Sequence, residues 1–261
     1  MTSHSDSRGS FAWVRSVVLI TSVVLIVWHV LVVITRVPAF VFPPPTSVAL
    51  TLVNKAGYLF EHSMVTTVEI VSGLLIGSAL GVSSALLLVS FERSRRWAMP
   101  LMVMTQSLPV FALAPLLTLW FGYGMSSKII MAVLIIYFPV VAASFDGLRH
   151  TPNEMLNLAR SMRASKWAII WHIRLPAAMP SMASGVRVAT SVAPIGAVVG
   201  EWVGSSRGLG YVMLNANGRM QTDLMFAALL CLCVIAALLY SLVNRLLDRC
   251  LYWQKDSAIS L

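Results

Sequence analysis

Long apolar runs alternate with short polar connections along the whole chain, and the length of each run decides what it predicts. A helix needs roughly 20 apolar residues to cross about 30 Å of hydrocarbon at about 1.5 Å per residue. Residues 16 to 34, SVVLITSVVLIVWHVLVVI, carry no formal charge and predict a first span. Three consecutive prolines at 43 to 45 then forbid a continuing helix, and the mildly amphipathic remainder up to His62 predicts a surface segment. A second span is expected over 64 to 90. Between Ala98 and Phe145 the only formal charge is Lys128, so that run predicts two spans turning at FGYGMSSK, residues 121 to 128. Spans five and six are expected over 177 to 203 and 223 to 244, joined by a glycine-rich loop.

One stretch breaks this pattern. Residues 146 to 174 contain Asp146, Arg149, Glu154, Arg160, Arg163, Lys166 and Arg174. At about 3 kcal/mol per charge at a helix centre, burying all of them in lipid would cost on the order of 20 kcal/mol, so the stretch belongs outside the bilayer. With six spans both termini share one side. That side would hold fourteen of the nineteen Lys and Arg residues, which places the termini and the polar stretch in the cytoplasm. The expected organisation is a tail over 1–15, a transmembrane domain over 16–245 with the polar insert at 146–176, and a second tail over 246–261.

Composition agrees and narrows the class. Hydrophobic residues make up 58% of the 261 and charged residues 11%, with a mean hydropathy of +0.82, against about 25% charged in soluble proteins. The net charge of +9 lies between apolar runs rather than on an aromatic-basic face, so no nucleic-acid partner is expected; the lipid bilayer is. The first apolar core is too long for a secretory leader and predicts a retained span. Cys231, Cys233 and Cys250 have neither disulfide nor metal spacing. The five histidines are dispersed, without H-E-x-x-H, so no catalytic, cofactor-binding or metal residues are assigned.

Within the insert, TPNE (151 to 154) predicts a capping box with Thr151 as cap and Pro152 at the first helical position. Met155, Leu158, Ala159 and Met162 then share one face. A second short helix is expected from Ser165 to Ile173, presenting Trp167, Ile170 and Trp171, with Leu175-Pro176 ending it. Two short helices with apolar faces and basic rims form either a docking knob or a hairpin resting on lipid. Gly73, Gly77 and Gly81, four apart, predict close helix packing, within the subunit or at a seam between two copies. Glu201, beside Trp202, fits a translocation path or a structural hydrogen bond to neighbouring loops, and Glu69 is a weaker candidate of the same kind. Gln106, Ser107 and Tyr137 could line the path, with Trp120 and Trp202 as further aromatic faces for an uncharged ring.

The spacing of the insert resembles a known loop. Inner-membrane permeases of binding-protein-dependent ABC importers carry Glu-Ala-Ala, three residues, Gly, nine residues, Ile, one residue, Leu-Pro. Here that pattern falls on Asn157, Leu158, Ala159, Arg163, Ile173, Leu175 and Pro176, with Asn for Glu, Leu for the first Ala, and Arg for Gly. TTVEIVSGLLIGSALG, LAPLLTLWFGYGMSSKI, FPVVAASFDGLR and IGAVVGEWVGSSRGLGY extend the resemblance from about His62 onward, toward the branch importing nitrate, sulfonates, taurine and thiamine precursors. ANGRMQTDLMFAALL, 216 to 230, is most similar to permeases for the hydroxymethylpyrimidine precursor of thiamine.

The resemblance implies an all-α polytopic membrane protein with six transmembrane helices and a cytoplasmic coupling loop of two short helices. It also implies a bacterial inner-membrane importer subunit paired with a second copy, a cytoplasmic ATP-binding subunit and an external solute-binding protein. No G-x-x-x-x-G-K-[ST] occurs, so ATP is expected on a separate chain and no enzymatic site on this one. A proton-coupled carrier is the rival reading, and the paired-helix insert argues against it.

Overall fold

The computed structural model describes residues 6–90, 100 and 109–253, and among these every regular element is helical. In chain order they are Asp6–Thr35 (α1), Pro45–Asn54 (α2), Ala56–Ser90 (α3), Val110–Phe121 (α4), Met125–Arg149 (α5), Asn153–Ser161 (α6), Lys166–Ile169 (α7), Leu175–Trp202 (α8), Leu209–Gly218 (α9) and Thr222–Cys250 (α10). Among the described residues, four helical stretches are long and apolar enough to cross a membrane: Ala56–Ser90, Met125–Arg149, Lys166–Trp202 and Thr222–Cys250. Leu19–Thr35 and Val110–Phe121 are shorter apolar helices. The residues before Val110, 101–108, lie outside the described residues, so the third expected span is seen only in its second half.

The chain forms two compact units. The first comprises Met1–Phe60 and Val212–Leu230. Pro45 stands at the first turn of α2, where a missing N–H costs nothing. Trp28, Phe42 and Phe226 cluster with ring centroids 5.5 to 6.1 Å apart, and the Trp28 indole donates to the Pro43 carbonyl at 3.1 Å. Thr51 donates to Asp223 at 2.7 Å, tying α2 to the start of α10.

The second unit comprises Glu61–Tyr211 and Cys231–Leu261. Its centre is α5, gripped between α3 and α8 by small residues. A Cβ on Gly73 would lie 2.5 Å from the Ala132 Cβ, on Gly77 2.8 Å from Ile136, and on Gly81 2.9 Å from Val140. On the other side a Cβ on Gly196 would lie 2.7 Å from the Ala132 backbone, and one on Gly185 2.7 Å from Ala143. Backbones approach this closely only where no side chain intervenes. Ile70, Leu74, Ile136, Val140, Ala189 and Ala193 fill one buried cluster; Ala85, Leu88, Phe145, Leu148 and Ala178 fill a second nearer the hairpin.

Three local expectations are corrected. Thr151 does not cap α6: its hydroxyl is buried and donates to the Leu148 carbonyl at 3.2 Å, and Pro152 occupies the cap position. The preceding helix end needs that hydroxyl more than the following start does. Leu175-Pro176 does not end the second short helix. α7 passes through a π-helical turn, Ile170–Arg174, directly into α8. The wider turn takes up the proline, whose ring would otherwise strike the carbonyl four residues back. The expected glycine-rich loop between the last two spans contains a helix, α9.

Candidate functional site

The hairpin between α5 and α8 is built from strong local signals. Leu156 and Ala159 turn inward from α6 and Ile170 from the π turn, while Met155, Leu158 and Met162 stay 52%, 65% and 75% exposed. The α6–α7 turn closes with Arg163 in the left-handed region, φ 58°. The Ala164 N–H reaches the Ala159 carbonyl at 3.0 Å and the Arg163 N–H reaches that of Arg160 at 2.9 Å. This is the Schellman pattern, which favours glycine at the position Arg163 occupies. Ser165 then caps α7, accepting from the Ala168 N–H at 3.2 Å.

Trp167 and Trp171 stand exposed on the same hairpin. Leu158, Ala159, Ile173 and Pro176 are brought together around an apolar groove of about 660 Å³, closed at one side by Trp253. Asn157 and Arg163 are exposed outside that groove, and Leu175 packs partly buried against the Phe145 cluster.

A polar cluster lies at the opposite end of the unit. Glu201, 1% exposed, accepts from the Thr66 hydroxyl at 2.6 Å, from the Gly210 N–H, and from the Tyr211 N–H at 3.3 Å. The Leu209 N–H donates to Thr66 Oγ1 at 2.8 Å and the Gly208 N–H to His62 Nδ1 at 2.9 Å. The unpaired donors at the start of α9 are thus met by side chains of α3 and α8 rather than by a local cap. Glu69 is fully buried and faces Glu201. Among the described residues no N–H or hydroxyl donates to either of its oxygens. Lys128, also buried, acts on Glu69 through space and points its ammonium toward the Tyr123 carbonyl, 3.4 Å away.

Of the other path candidates, Trp202 is 40% exposed with its ring edge on Phe111 at 6.0 Å. Tyr137 packs beside the Phe145 cluster, away from Glu201. Gln106 and Ser107 lie outside the described residues. The involvement of His62, Thr66 and Lys128 was missed from sequence. A signal existed: His62, Thr66 and Glu69 stand at i, i+4 and i+7, one face of a helix.

Arg187 is paired across helices. It donates to Asn244 at 2.7 Å and to Asp248 at 2.6 Å, while Asn244 donates to Asp248 at 3.1 Å. Among the described residues no three His, Cys, Asp or Glu side chains are placed to hold a metal.

Comparison with known proteins places these features. A probable ABC transporter permease protein of Haemophilus influenzae is 53% identical over 88% of this chain and 94% of its own. The formylaminopyrimidine transport permease ThiX of Halalkalibacterium halodurans is 32% identical over 88% and 92%. The putative aliphatic sulfonates transport permease SsuC of Bacillus subtilis is 31% identical over 95% and 91%. A chain of the inward-facing MetNI methionine ABC transporter superposes with a TM-score of 0.59 at 19% identity, over 73% of this chain and 93% of that one, which shows a shared fold. The profile described as binding-protein-dependent transport system inner membrane component matches residues 73–251, a range holding the hairpin, Glu201 and the start of α9. The chain therefore belongs to the family of binding-protein-dependent transport system inner membrane components, the multi-pass permease subunits of ABC transporters.

Proposed function

We propose that this chain is one of two identical permease subunits of an ATP-driven importer, crossing the bacterial inner membrane six times with both termini in the cytoplasm. The hairpin is its handle. ATP is held by a separate cytoplasmic subunit that docks on the exposed apolar row of α6 and α7, and an external solute-binding protein delivers the cargo. One observation carries the reading: Met155, Leu158, Met162, Trp167 and Trp171 are all more than half exposed, and Arg160, Arg163 and Lys166 rim them. Exposed apolar surface rimmed by charge is what a partner covers.

The continuous helix from Lys166 to Trp202 explains how such docking acts at a distance. A shift of α7 passes through the π turn into α8, whose far end carries Glu201 and, through it, the start of α9. ATP binding would draw the paired hairpins together and open the far side; hydrolysis would reset it, a two-state shift of rigid elements. The chain performs no bond chemistry of its own.

The proposed cargo is a pyrimidine precursor of thiamine. Segment 216 to 230 supports this, as does the relative named for formylaminopyrimidine. The sulfonate relative stands at nearly the same identity, so the cargo is decided by the binding protein. Equilibrating the cognate binding protein with hydroxymethylpyrimidine, taurine and nitrate tests it directly: retention of the pyrimidine is expected, and retention of a sulfonate or nitrate instead overturns the cargo while leaving the importer reading in place. For the handle, copurification with the ATPase is expected to be lost in W167A/W171A, and an unchanged yield of complex contradicts it.

A further inference from the structure

The hairpin has a second groove, opposite in character to the apolar one. About 450 Å³ in volume, it runs between the hairpin and the last turn of α3, floored by Val89, Leu156 and Ile170 and lined by Arg160, Lys166 and Arg174. Among the described residues no acidic side chain lines it. None of the three cations is in an ion pair among the described residues, whose two salt bridges are Arg187–Asp248 and Arg207–Glu61. Among the described residues the buried Nε of Arg174 has no acceptor.

A guanidinium N–H held away from water without an acceptor is costly, and three like charges around one cleft repel each other. A single ligand relieves both. It must be anionic, and it must offer acceptor oxygens in several directions, because the donors come from α6 (Arg160), α7 (Lys166) and the π turn (Arg174). A carboxylate offers two oxygens in one plane; a phosphate offers three or four arranged tetrahedrally, and guanidinium–phosphate bonds are among the strong ones. Ser90, the final residue of α3, borders the groove, so it lies where a membrane-spanning helix ends, at headgroup level.

We propose that this groove is a binding site for a phosphate-class anion, either the headgroup of an anionic phospholipid or a free phosphate, bridging α3 to the hairpin. The groove adjoins the docking surface, sharing Arg160 and Lys166 with its rim, so it is tested on the purified full-length chain alone, without the ATPase.

The chain is reconstituted in phosphatidylcholine nanodiscs with or without about one fifth phosphatidylglycerol, and lipid retained through detergent exchange is counted by native mass spectrometry. Inorganic phosphate is titrated separately against thermal unfolding. The wild type is expected to retain phosphatidylglycerol over phosphatidylcholine, or to be stabilised by phosphate. R160Q/K166Q/R174Q, checked for unchanged helix content, and the single variant R174Q should weaken that binding about tenfold or more. R245Q/R249Q, which removes two cations elsewhere, should not. Lipid retention without a phosphate effect assigns the site to a headgroup; stabilisation by phosphate alone assigns it to the free anion. A wild type that binds neither, or a loss equal in R245Q/R249Q and the groove variants, overturns the proposal.

Discussion

Arg163 carries a side chain on a backbone that glycine adopts without penalty. Its Schellman turn is intact, so the cost is steric, about 1 kcal/mol. R163G is therefore expected to stabilise the chain by about that amount, read as a rise in unfolding temperature; a fall would show that the arginine side chain contributes more than its backbone costs. Glu69 and Glu201 make a sharper pair. Glu201 is the acceptor for the Gly210 and Tyr211 N–H groups, and E201A would leave both without partners at about 1–3 kcal/mol each. Glu69 faces the Glu201 carboxyl, and the amide of E69Q would donate to it without placing two carboxyls against each other. E69Q is expected to unfold at or above the wild-type temperature and E201A well below it. Equal losses would contradict this account of the cluster. Sequence alone marked Glu201 as unusual but could not find its partners, because Thr66 lies 135 positions away and the peptide N–H groups leave no signature in residue identity.

Among the elements, the long spans were the most legible, since apolar length alone predicts them. The two short helices expected in the polar insert are present as α6 and α7. Helix ends were read less well. Pro176 looked like a terminator, yet a π turn carries the helix past it, and the single-residue widening that permits this has no marker in a propensity pattern. The row Gly73, Gly77, Gly81 stood out at a spacing of four; Gly196 and Gly185, which meet α5 from the other side, did not, being eleven apart. Ala132 is the shared contact, touched from both directions. G196V should force α8 off α5 and lower stability by about 3 kcal/mol or more, as overpacking between rigid backbones does. G57V, at a position where an added Cβ meets nothing within 4 Å, serves as the neutral control; thermal unfolding of both in the same detergent decides whether the close approach matters.

For the whole molecule, membership of the permease family rests on a match across residues 73–251 and on relatives covering nearly all of the chain. The resemblance carried by the insert's spacing had pointed to the same family, despite Asn157, Leu158 and Arg163 departing from its pattern. Spacing survived where residue identity did not. A turn and two helices can tolerate an exposed Asn or Leu, whereas a change in length would rotate every apolar side chain off its face. Whether a separate ATPase drives transport by moving the hairpin is read from uptake into proteoliposomes holding the permease, its ATPase and the loaded binding protein. Uptake is expected to require internal ATP, to ignore an imposed proton gradient, and to fall about tenfold or more in W167A/W171A. Uptake sustained by the gradient without ATP, or left intact by the paired tryptophan replacement, would contradict it.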